Sequence, residues 1–314
     1  MRYGKGALVA GALALASLAG TGPVLEAYAS TSAKGPSVRQ VPSVGAKSSL
    51  QTLLIAGLDG DPESRDADRR SDNHTDALIL LTSRPGSGEV QALHIPRDTK
   101  VWTRLGETKI NGVWRQGGSP ALLHAVTGLT GLPVDNLITI DFARFRRVMQ
   151  VMGRFPFYVD RTIVSPEGDV RVQPGLRRLT PRQALAVVRF RHEALGDIGR
   201  VHRQERFVRT AVMQASKLPY QAFATLLRLA DPQVTQKATL EAYTLVHPLR
   251  KYTAHSIPGT FSTGPGASYW LADHAGVQAL SHVLRGDQAA STALAVWSRG
   301  HSTLDVDDGR DRSL

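Results

Sequence analysis

Two aspartates beside predicted strands could bind a divalent cation. Asp59 follows the apolar run Leu53–Leu58, and Asp76 precedes the apolar run Ala77–Leu81. Both runs have the length of buried strands, and neighbouring strands would bring the two carboxylates to one edge of a sheet. Mg²⁺ commonly uses one or two protein carboxylates and completes its octahedron with water and phosphate oxygens. The pair predicts a magnesium site, although such aspartates also cap turns and Asp72 is an alternative ligand.

Charged residues also follow the next predicted strand, Val90–Ile95. Pro96 should end strand pairing and turn Arg97 and Asp98 away from the sheet edge. The planar guanidinium of Arg97 suits a phosphate, and Asp98 could hold a neighbouring cation, although the two could also form a simple surface pair. Lys109 lies in an alternating polar and apolar stretch that could present it to the same site.

The densest cationic group lies further along the chain. In an extended backbone Arg189 and Arg191 would share a face, and adjacent guanidinium groups repel each other unless an anion bridges them. Arg200, Arg203 and Gln204 then open a predicted helix, whose N-terminus also favours phosphate. A solvated basic surface is the alternative, but apolar residues interrupt this run at strand and helix periods. We therefore predict that the group binds phosphate.

Several other chemistries lack support. The histidines His74, His192 and His202 do not have an established zinc-ligand spacing. The chain has no cysteine, which excludes disulfides and a thiol nucleophile. It also lacks a Gly-x-Ser-x-Gly elbow, a Walker A loop and a Gly-x-Gly-x-x-Gly loop.

The N-terminal residues and the charge narrow the choice of partner. The 314 residues carry a net charge of +11, so the chain should meet an acidic partner. Arg2 and Lys5 precede the uncharged stretch Gly6–Leu25, and Ala27–Ala29 is a small-x-small pattern. This is typical of an export signal, either cleaved or retained as a membrane anchor. We therefore expect an extracytoplasmic protein, associated with the cell membrane or secreted to the cell wall, and no nucleic acid partner.

Composition divides the chain into four parts. Residues 1–29 are the predicted signal peptide or anchor, 30–49 a flexible linker, 50–285 the folded domain and 286–314 a polar tail. Within the domain, strand and helix signals mix without strict alternation, which favours an α/β or α+β sandwich. A predicted helix has Ser119 as its N-cap and Gly128 as its end.

A set of motifs, taken in order, resembles the LytR-CpsA-Psr family over about residues 50 to 220. The motifs are Leu58-Asp59, His74-Thr75-Asp76-Ala77-Leu78, Ile95-Pro96-Arg97-Asp98-Thr99, Lys109-Ile110-Asn111, Val188-Arg189-Phe190-Arg191-His192 and Asp197-Ile198-Gly199-Arg200-Val201-His202-Arg203-Gln204. Each motif alone is weak, but their order and spacing together are specific. One departure is His74, which stands where the family usually has arginine, and Arg70 is a candidate to compensate.

The resemblance implies a three-layer α/β/α sandwich with a mixed central sheet that encloses an apolar groove for a polyprenyl tail. It implies that Asp59 and Asp76 hold Mg²⁺ and that Lys109 and Asp98 support the head-group site. The residues that would grip the phosphates are Arg97, Arg189, Arg191, Arg200 and Gln204.

The activity that the resemblance implies is phosphotransfer at the membrane. The donor would be a polyprenyl-pyrophosphate-linked glycan and the acceptor peptidoglycan, with Arg97, Asp98, Arg189 and Arg191 as the catalytic residues. Two alternatives remain open at this stage. One is a pyrophosphatase that uses water as acceptor, and the other is a regulator or binding protein without enzymatic activity.

Overall fold

The computed structural model describes residues 50–60, 74–190, 197–262 and 268–287, and of 197–199 only the backbone. The described residues before Phe142 and after Pro248 form one compact unit, here called the sheet unit, and Phe142–Pro248 contains the other, the helical unit. No helix within these ranges is long and apolar enough to cross a bilayer. Several predictions fall outside them: those on the signal segment, the linker, nearly all of the tail, Arg70, Asp72, Arg191 and His192.

Strands and helices account for most of the described residues. The strands are β1 (Gln51–Leu58), β2 (Thr75–Ser83), β3 (Glu89–Ile95), β4 (Lys100–Thr103), β5 (Gly106–Lys109), β6 (Asn136–Ile140), β7 (Phe155–Val159), β8 (Ile163–Val164), β9 (Arg171–Val172), β10 (Gly175–Leu179), β11 (Lys251–Ser256), β12 (Gly259–Phe261) and β13 (Trp270–Ala272). The helices are α1 (Val113–Thr130), α2 (Phe142–Met152), α3 (Pro181–Arg189), α4 (Asp197–Ala215), α5 (Tyr220–Ala230), α6 (Gln236–Val246) and α7 (His274–Leu284).

The sheet unit is built on a mixed five-stranded sheet in the order β11-β3-β2-β1-β6. β2 is antiparallel to both β1 and β3, whereas β6 runs parallel to β1 and β11 parallel to β3. The predicted hairpin between β2 and β3 is therefore confirmed, and so is the prediction that β1 and β2 are neighbours.

Leucines from the central strands form the core of this unit. Leu54, Leu80 and Leu93 are at most 1% exposed and belong to one cluster with Leu122 of α1 and Leu280 of α7. Burying each leucine contributes about 2 kcal/mol, so this cluster fixes the strands whose ends carry the charged residues.

Helix α1 is divided where the predicted helix was expected to begin, but it ends later than predicted. It starts at Val113, but Gly117 and Gly118 have non-helical backbone angles and divide it just before Pro120. Gly118 has a φ of 59°, in the left-handed region where glycine has no Cβ penalty. The predicted stop at Gly128 is wrong, because the helix continues to Thr130 and Gly131 provides the left-handed cap.

An aromatic cluster organises the helical unit around α4. The ring of Phe207 stacks on Phe155 of β7 with centroids 4.6 Å apart. Phe157 of β7 and Phe145 of α2 each lie 5.6 Å from the same ring. Because aromatic pairs add to the free energy of simple burial, Phe207 fixes α4 against the neighbouring strand and helix.

A capping box starts α3, the helix that ends with Arg189. The Thr180 hydroxyl accepts a hydrogen bond from the Gln183 amide, and the Gln183 side chain accepts one from the Thr180 amide at 3.0 Å. The helix includes Val188 and Arg189, and its C-cap Phe190 has extended backbone angles. The prediction of an extended backbone from Val188 was therefore wrong, since cap and helical periodicity together outweighed the local alternation.

We expect Thr180→Ala to lower the free energy of unfolding by about 1 kcal/mol, because the Gln183 amide loses its acceptor. Chemical denaturation measures the change. Thr180→Ser is the matched control and should keep most of the stability, whereas equal losses for both variants would contradict a capping role.

Candidate functional site

A β-bulge aims Asp76 away from the regular ladder. Leu58 pairs with Thr75 and Gly57 with Ala77, so Asp76 has no opposite residue in β1. A bulge leaves one residue unpaired and redirects its side chain. The strands approach closely here, because a Cβ on Gly57 would lie 3.2 Å from the Ala77 Cβ. The sequence predicted Asp76 near a strand end but gave no sign of the bulge.

Asp59 lies at the same end of the sheet, one residue beyond β1. Its Oδ1 accepts a hydrogen bond from the His74 amide at 2.8 Å, and its own amide donates to the His74 carbonyl at 3.0 Å. These bonds fix the chain on either side of the bulge. His74 Nδ1 lies 4.0 Å from Asp59 Oδ2, so a protonated imidazole would contact the carboxylate. The prediction that the two strands bring Asp59 and Asp76 to one edge is confirmed.

Arg97 reaches Asp76 from the adjacent strand. β3 is antiparallel to β2 with Ile95 opposite Leu78, so the chain after β3 passes the position of Asp76. Arg97 donates from Nη1 to Asp76 Oδ1 at 2.8 Å, and their side chains are 22% and 15% exposed. A charge-assisted hydrogen bond with this much burial is stronger than an exposed ion pair.

Asp98 links this pair to Lys109. Lys109 Nζ lies 2.9 Å from Asp98 Oδ1, and Arg97 Nε lies 3.9 Å from Asp98 Oδ2. The β4–β5 hairpin brings Lys109 back to this position, and the Asn111 amide donates to the Arg97 carbonyl at 3.1 Å. We call Asp59, Asp76, Arg97, Asp98 and Lys109 the charge cluster.

The charge cluster can accept a cation. Its three carboxylates and two basic groups leave a net charge of −1 when His74 is neutral. Within the described ranges, no group of three or more His, Asp or Glu side chains has the geometry of a metal site. Two strand-end carboxylates can suffice for Mg²⁺, which usually fills its remaining positions with water and phosphate oxygens.

Two arginines of α4 are buried in the helical unit. Arg200 and Arg203 are 2% and 1% exposed. Arg203 donates to the Phe190 carbonyl at 3.2 Å and places its guanidinium 5.2 Å from the Phe190 ring centroid. Gln204 donates to the Val188 carbonyl at 3.3 Å. Arg203 and Gln204 thus hold the end of α3, a role that sequence periodicity did not indicate.

Arg189 has a more open environment. Its Nη1 lies 3.1 Å from Glu167 Oε1, and its side chain is 22% exposed. The guanidinium also lies 4.9 Å from the Phe142 ring centroid. Arg189 therefore keeps partial access to solvent, whereas Arg203 is enclosed and burial lowers its pKa to about 10, with Asp160 opposing that shift.

Glu205 is a buried acid that the sequence reasoning missed. It is 3% exposed, and burial raises its pKa from 4.5 to about 7, although Arg209 and Arg206 oppose the shift. Its position could have been recognised, because Glu205 interrupts the helical series of Val201, Val208 and Val212. Burial also lowers the pKa of His202, with Arg206 adding to the effect.

We predict that Glu205→Gln changes the pH dependence of stability. With a folded pKa near 7 and an ordinary value of 4.5, the folded state binds the additional proton. The contribution of Glu205 to the free energy of unfolding should therefore fall between pH 4.5 and 7, by up to roughly 3 kcal/mol.

The measurement is the free energy of unfolding of the wild type and of Glu205→Gln, determined by denaturation at a series of pH values. The lowered pKa of His202 changes the free energy of unfolding in the opposite direction over an overlapping pH range. Both proteins contain His202, so its contribution cancels when one free energy is subtracted from the other. The variant should match the wild type near pH 4 and exceed its stability above pH 7. Parallel profiles across this range would contradict the assignment.

Comparison with known proteins supports the fold. A crystal structure of Bacillus subtilis TagV matches with a TM-score of 0.64 and 22% identity, covering 76% of this chain and 97% of that one. The structure of the LytR-CPS2A-psr family protein YwtF (TagT) with bound octaprenyl pyrophosphate lipid matches with a TM-score of 0.59 and 20% identity, covering 82% and 98%. The predicted α/β fold with a mixed central sheet is thereby confirmed.

Sequence relatives match over shorter regions. The polyisoprenyl-teichoic acid–peptidoglycan teichoic acid transferase TagV of Bacillus subtilis (strain 168) is 30% identical over 152 residues, 45% of this chain and 39% of TagV. The probable cell wall biosynthesis protein LcpB of Corynebacterium glutamicum is 29% identical over 201 residues, 62% of this chain and 42% of LcpB. The chain thus spans about two fifths of the length of these relatives. The LytR_cpsA_psr family model matches residues 23–285, and with the motifs and the fold this shows that the chain belongs to the LytR_cpsA_psr family.

Proposed function

We propose that this chain transfers a glycan phosphate from a polyprenyl-pyrophosphate carrier to peptidoglycan. Family membership supports the proposal, and the name of the relative TagV describes such a transfer of teichoic acid. A family structure contains octaprenyl pyrophosphate, the kind of carrier that the proposal requires. The observation that carries the proposal is the charge cluster, in which two basic side chains and three carboxylates meet at one sheet end.

The proposed location is extracytoplasmic and at the membrane. The N-terminal pattern Gly6–Leu25 followed by Ala27–Ala29 supports export, whether the segment is cleaved or retained. A polyprenyl carrier is anchored in the bilayer, so an exported enzyme at the membrane surface would meet its donor there. An exported chain would not meet the chromosome, and nucleic acid is therefore not part of the proposal.

Arg97 and Lys109 are the proposed ligands of the donor phosphates in the sheet unit. A guanidinium has five N–H donors, so Arg97 can donate to a phosphate oxygen while it holds Asp76, whereas Lys109 acts as a point charge. Asp98 lies 2.9 Å from Lys109 Nζ and 3.9 Å from Arg97 Nε. Asp98 therefore positions both cations, and the anionic donor would bind to groups that are already ordered.

Mg²⁺ is the proposed cofactor, with Asp59 and Asp76 as its protein ligands. The residues fit, because two carboxylates at one sheet end are sufficient for a cation that takes its other ligands from water and phosphate. The His74 amide donates to Asp59 Oδ1 and Arg97 Nη1 donates to Asp76 Oδ1, each at 2.8 Å. When bound, Mg²⁺ would neutralise charge on the pyrophosphate oxygens as the leaving phosphate separates.

The proposed reaction is a direct substitution at phosphorus. A sugar hydroxyl of the acceptor forms a bond to the glycan-linked phosphorus, the bond from that phosphorus to the bridging oxygen breaks, and polyprenyl phosphate leaves. Arg97 and Lys109 stabilise the negative charge that gathers on the phosphate oxygens. The hydroxyl proton passes to a carboxylate of the cluster, Asp98 in our proposal, and no covalent enzyme intermediate is needed.

One incubation tests the reaction. The full chain is mixed with lipid-pyrophosphate-linked glycan, peptidoglycan fragments and Mg²⁺, and the products are identified by mass spectrometry. The proposal predicts glycan phosphate joined to peptidoglycan and free polyprenyl phosphate, both abolished by a chelator and restored by Mg²⁺. Glycan phosphate released into water instead would identify a pyrophosphatase, and an unchanged donor would refute both activities.

We predict that Arg97→Lys lowers the transfer rate by about 10² to 10³, because lysine keeps the charge but loses the planar set of donors that can hold Asp76 and a phosphate oxygen together. Initial rates with saturating donor measure the effect. Lys251→Ala is the matched control, since Lys251 is an exposed cation at the start of β11 in the same unit. Equal rates for Arg97→Lys and the control would remove Arg97 from the mechanism.

A second comparison concerns α3. Arg189→Ala should lower transfer by about the same factor without unfolding the chain, because the side chain is partly exposed and could bind phosphate. Arg182→Ala is its control on the same helix, where Arg182 also pairs with a carboxylate, that of Asp169, but is 70% exposed. Wild-type transfer by a folded Arg189→Ala variant would remove Arg189 from the proposed mechanism.

A further inference from the structure

The β4–β5 hairpin presents two large apolar side chains to solvent. Trp102 is 72% exposed and Leu105 is 78% exposed, the two highest values among the large apolar residues of the described ranges. Single exposed apolar residues are common on protein surfaces, but two within four positions at a hairpin tip form a local patch. The patch is a feature of the folded surface that the charge cluster does not require.

The strand pattern aims Trp102 away from the core. Val101 is 7% exposed and belongs to the core cluster of the sheet unit. Because side chains alternate along a strand, the next residue faces outward. A parallel bridge joins Thr99 to Trp270, which places the following residue, Leu271, on the same outward side, and Leu271 is 40% exposed.

The tip is held in a defined conformation. Thr103 pairs with Gly106 across a two-residue loop, and Gly106 has a φ of 101° that favours glycine. The Thr103 hydroxyl donates to the Gly106 carbonyl at 3.1 Å and accepts from the Leu105 amide at 3.2 Å. The exposed tryptophan and leucine are thus carried on a closed turn.

The same outward face leads to the charge cluster. Lys100 and Trp102 are two residues apart on β4, and Lys109 is the cross-strand neighbour of Lys100. Lys100 and Lys109 place their Nζ atoms 5.6 and 5.9 Å from the Tyr269 ring centroid. Two residues of a strand span about 7 Å, so the apolar tip and Lys109 lie within the reach of one lipid head group and its upper acyl chain.

The hairpin tip carries one cation beyond its ion pairs. Lys100 Nζ lies 2.7 Å from Glu107 Oε2 and Lys109 Nζ lies 2.9 Å from Asp98 Oδ1, so the net charge of +1 for residues 98–109 corresponds to Arg104. Arg104 is exposed at the tip beside Leu105. Tryptophan with an adjacent cation is typical of protein segments that lie at the boundary between head groups and acyl chains.

We infer that the β4–β5 tip inserts Trp102 and Leu105 into the interfacial region of an anionic bilayer. The choice of a bilayer as occupant rests on the proposed function, because a polyprenyl-linked donor keeps its pyrophosphate at that depth. Insertion would bring Lys109 and Asp98 to the level of the lipid head groups. The hairpin would then orient the site towards a donor that stays in the membrane.

The test uses the full chain and a label at the tip. Because the sequence has no cysteine, an L105C variant accepts a single environment-sensitive fluorophore. The matched control is E89C, at the exposed start of β3, the end of the central sheet opposite the charge cluster. Both labelled proteins are mixed with phosphatidylglycerol vesicles that contain no polyprenyl lipid, and emission and quenching by spin-labelled lipids are recorded.

The expected result is a blue shift and strong quenching for the label at position 105, and neither for the label at 89. Adding W102S to L105C should reduce the shift, and phosphatidylcholine vesicles should give a smaller one. A label at 105 that stays as solvated as the control would overturn the inference. So would a blue shift that needs only higher protein concentration, which would identify a second copy of the chain as the occupant.

The outcome is independent of the transfer reaction. The vesicles contain no donor, so a failed insertion leaves the transfer assay unaffected. If the tip inserts normally but the chain shows no transfer, the proposed function is refuted and the inferred membrane insertion still stands.

Discussion

The hydrogen-bonded ion pair between Asp76 and Arg97 organises the charged end of the sheet. It depends on the bulge that leaves Asp76 without an opposite residue in β1, since a regular ladder would aim the carboxylate elsewhere. Arg97 Nη1 meets Asp76 Oδ1 at 2.8 Å, and its other side approaches Asp98, which holds Lys109. Alternating acidic and basic side chains thereby hold the ends of β2, β3 and β5 together. Because the two cations are already ordered, binding a phosphate requires less loss of side-chain entropy than it would with mobile cations.

The arginines of the helical unit separate into two kinds. Arg203 is enclosed and donates to a main-chain carbonyl. Removing one partner of a buried hydrogen bond leaves the other partner unsatisfied, and this usually costs more free energy than the bond itself contributes to stability. Arg189 is partly exposed and pairs with a single carboxylate, that of Glu167. A basic motif in the sequence can therefore combine residues that hold the fold with residues available for a ligand. Only mutations that separate stability from activity distinguish them.

The sequence predicted much of the frame and the positions of several candidate site residues. The strands and the hairpin of the central sheet followed from apolar runs and turn composition, because burial imposes these patterns directly. Asp59, Asp76 and Arg97 were predicted from strand ends, but the bulge was not, because register depends on pairing between distant residues. Two further features were missed for a related reason. The capping box that starts α3 keeps the chain helical as far as Arg189, although the local alternation indicated an extended backbone. The packing of α4 buries Glu205, although a charged residue would be expected at the surface.

The central claim is that Asp76 and Arg97 form a site for a metal-bound diphosphate. The most direct measurement is calorimetric titration of a short polyprenyl pyrophosphate into the wild type and Asp76→Asn, each with Mg²⁺ and with a chelator. The account predicts that Mg²⁺ tightens binding to the wild type and that this gain is lost in Asp76→Asn. An equal gain from Mg²⁺ in both proteins would contradict it.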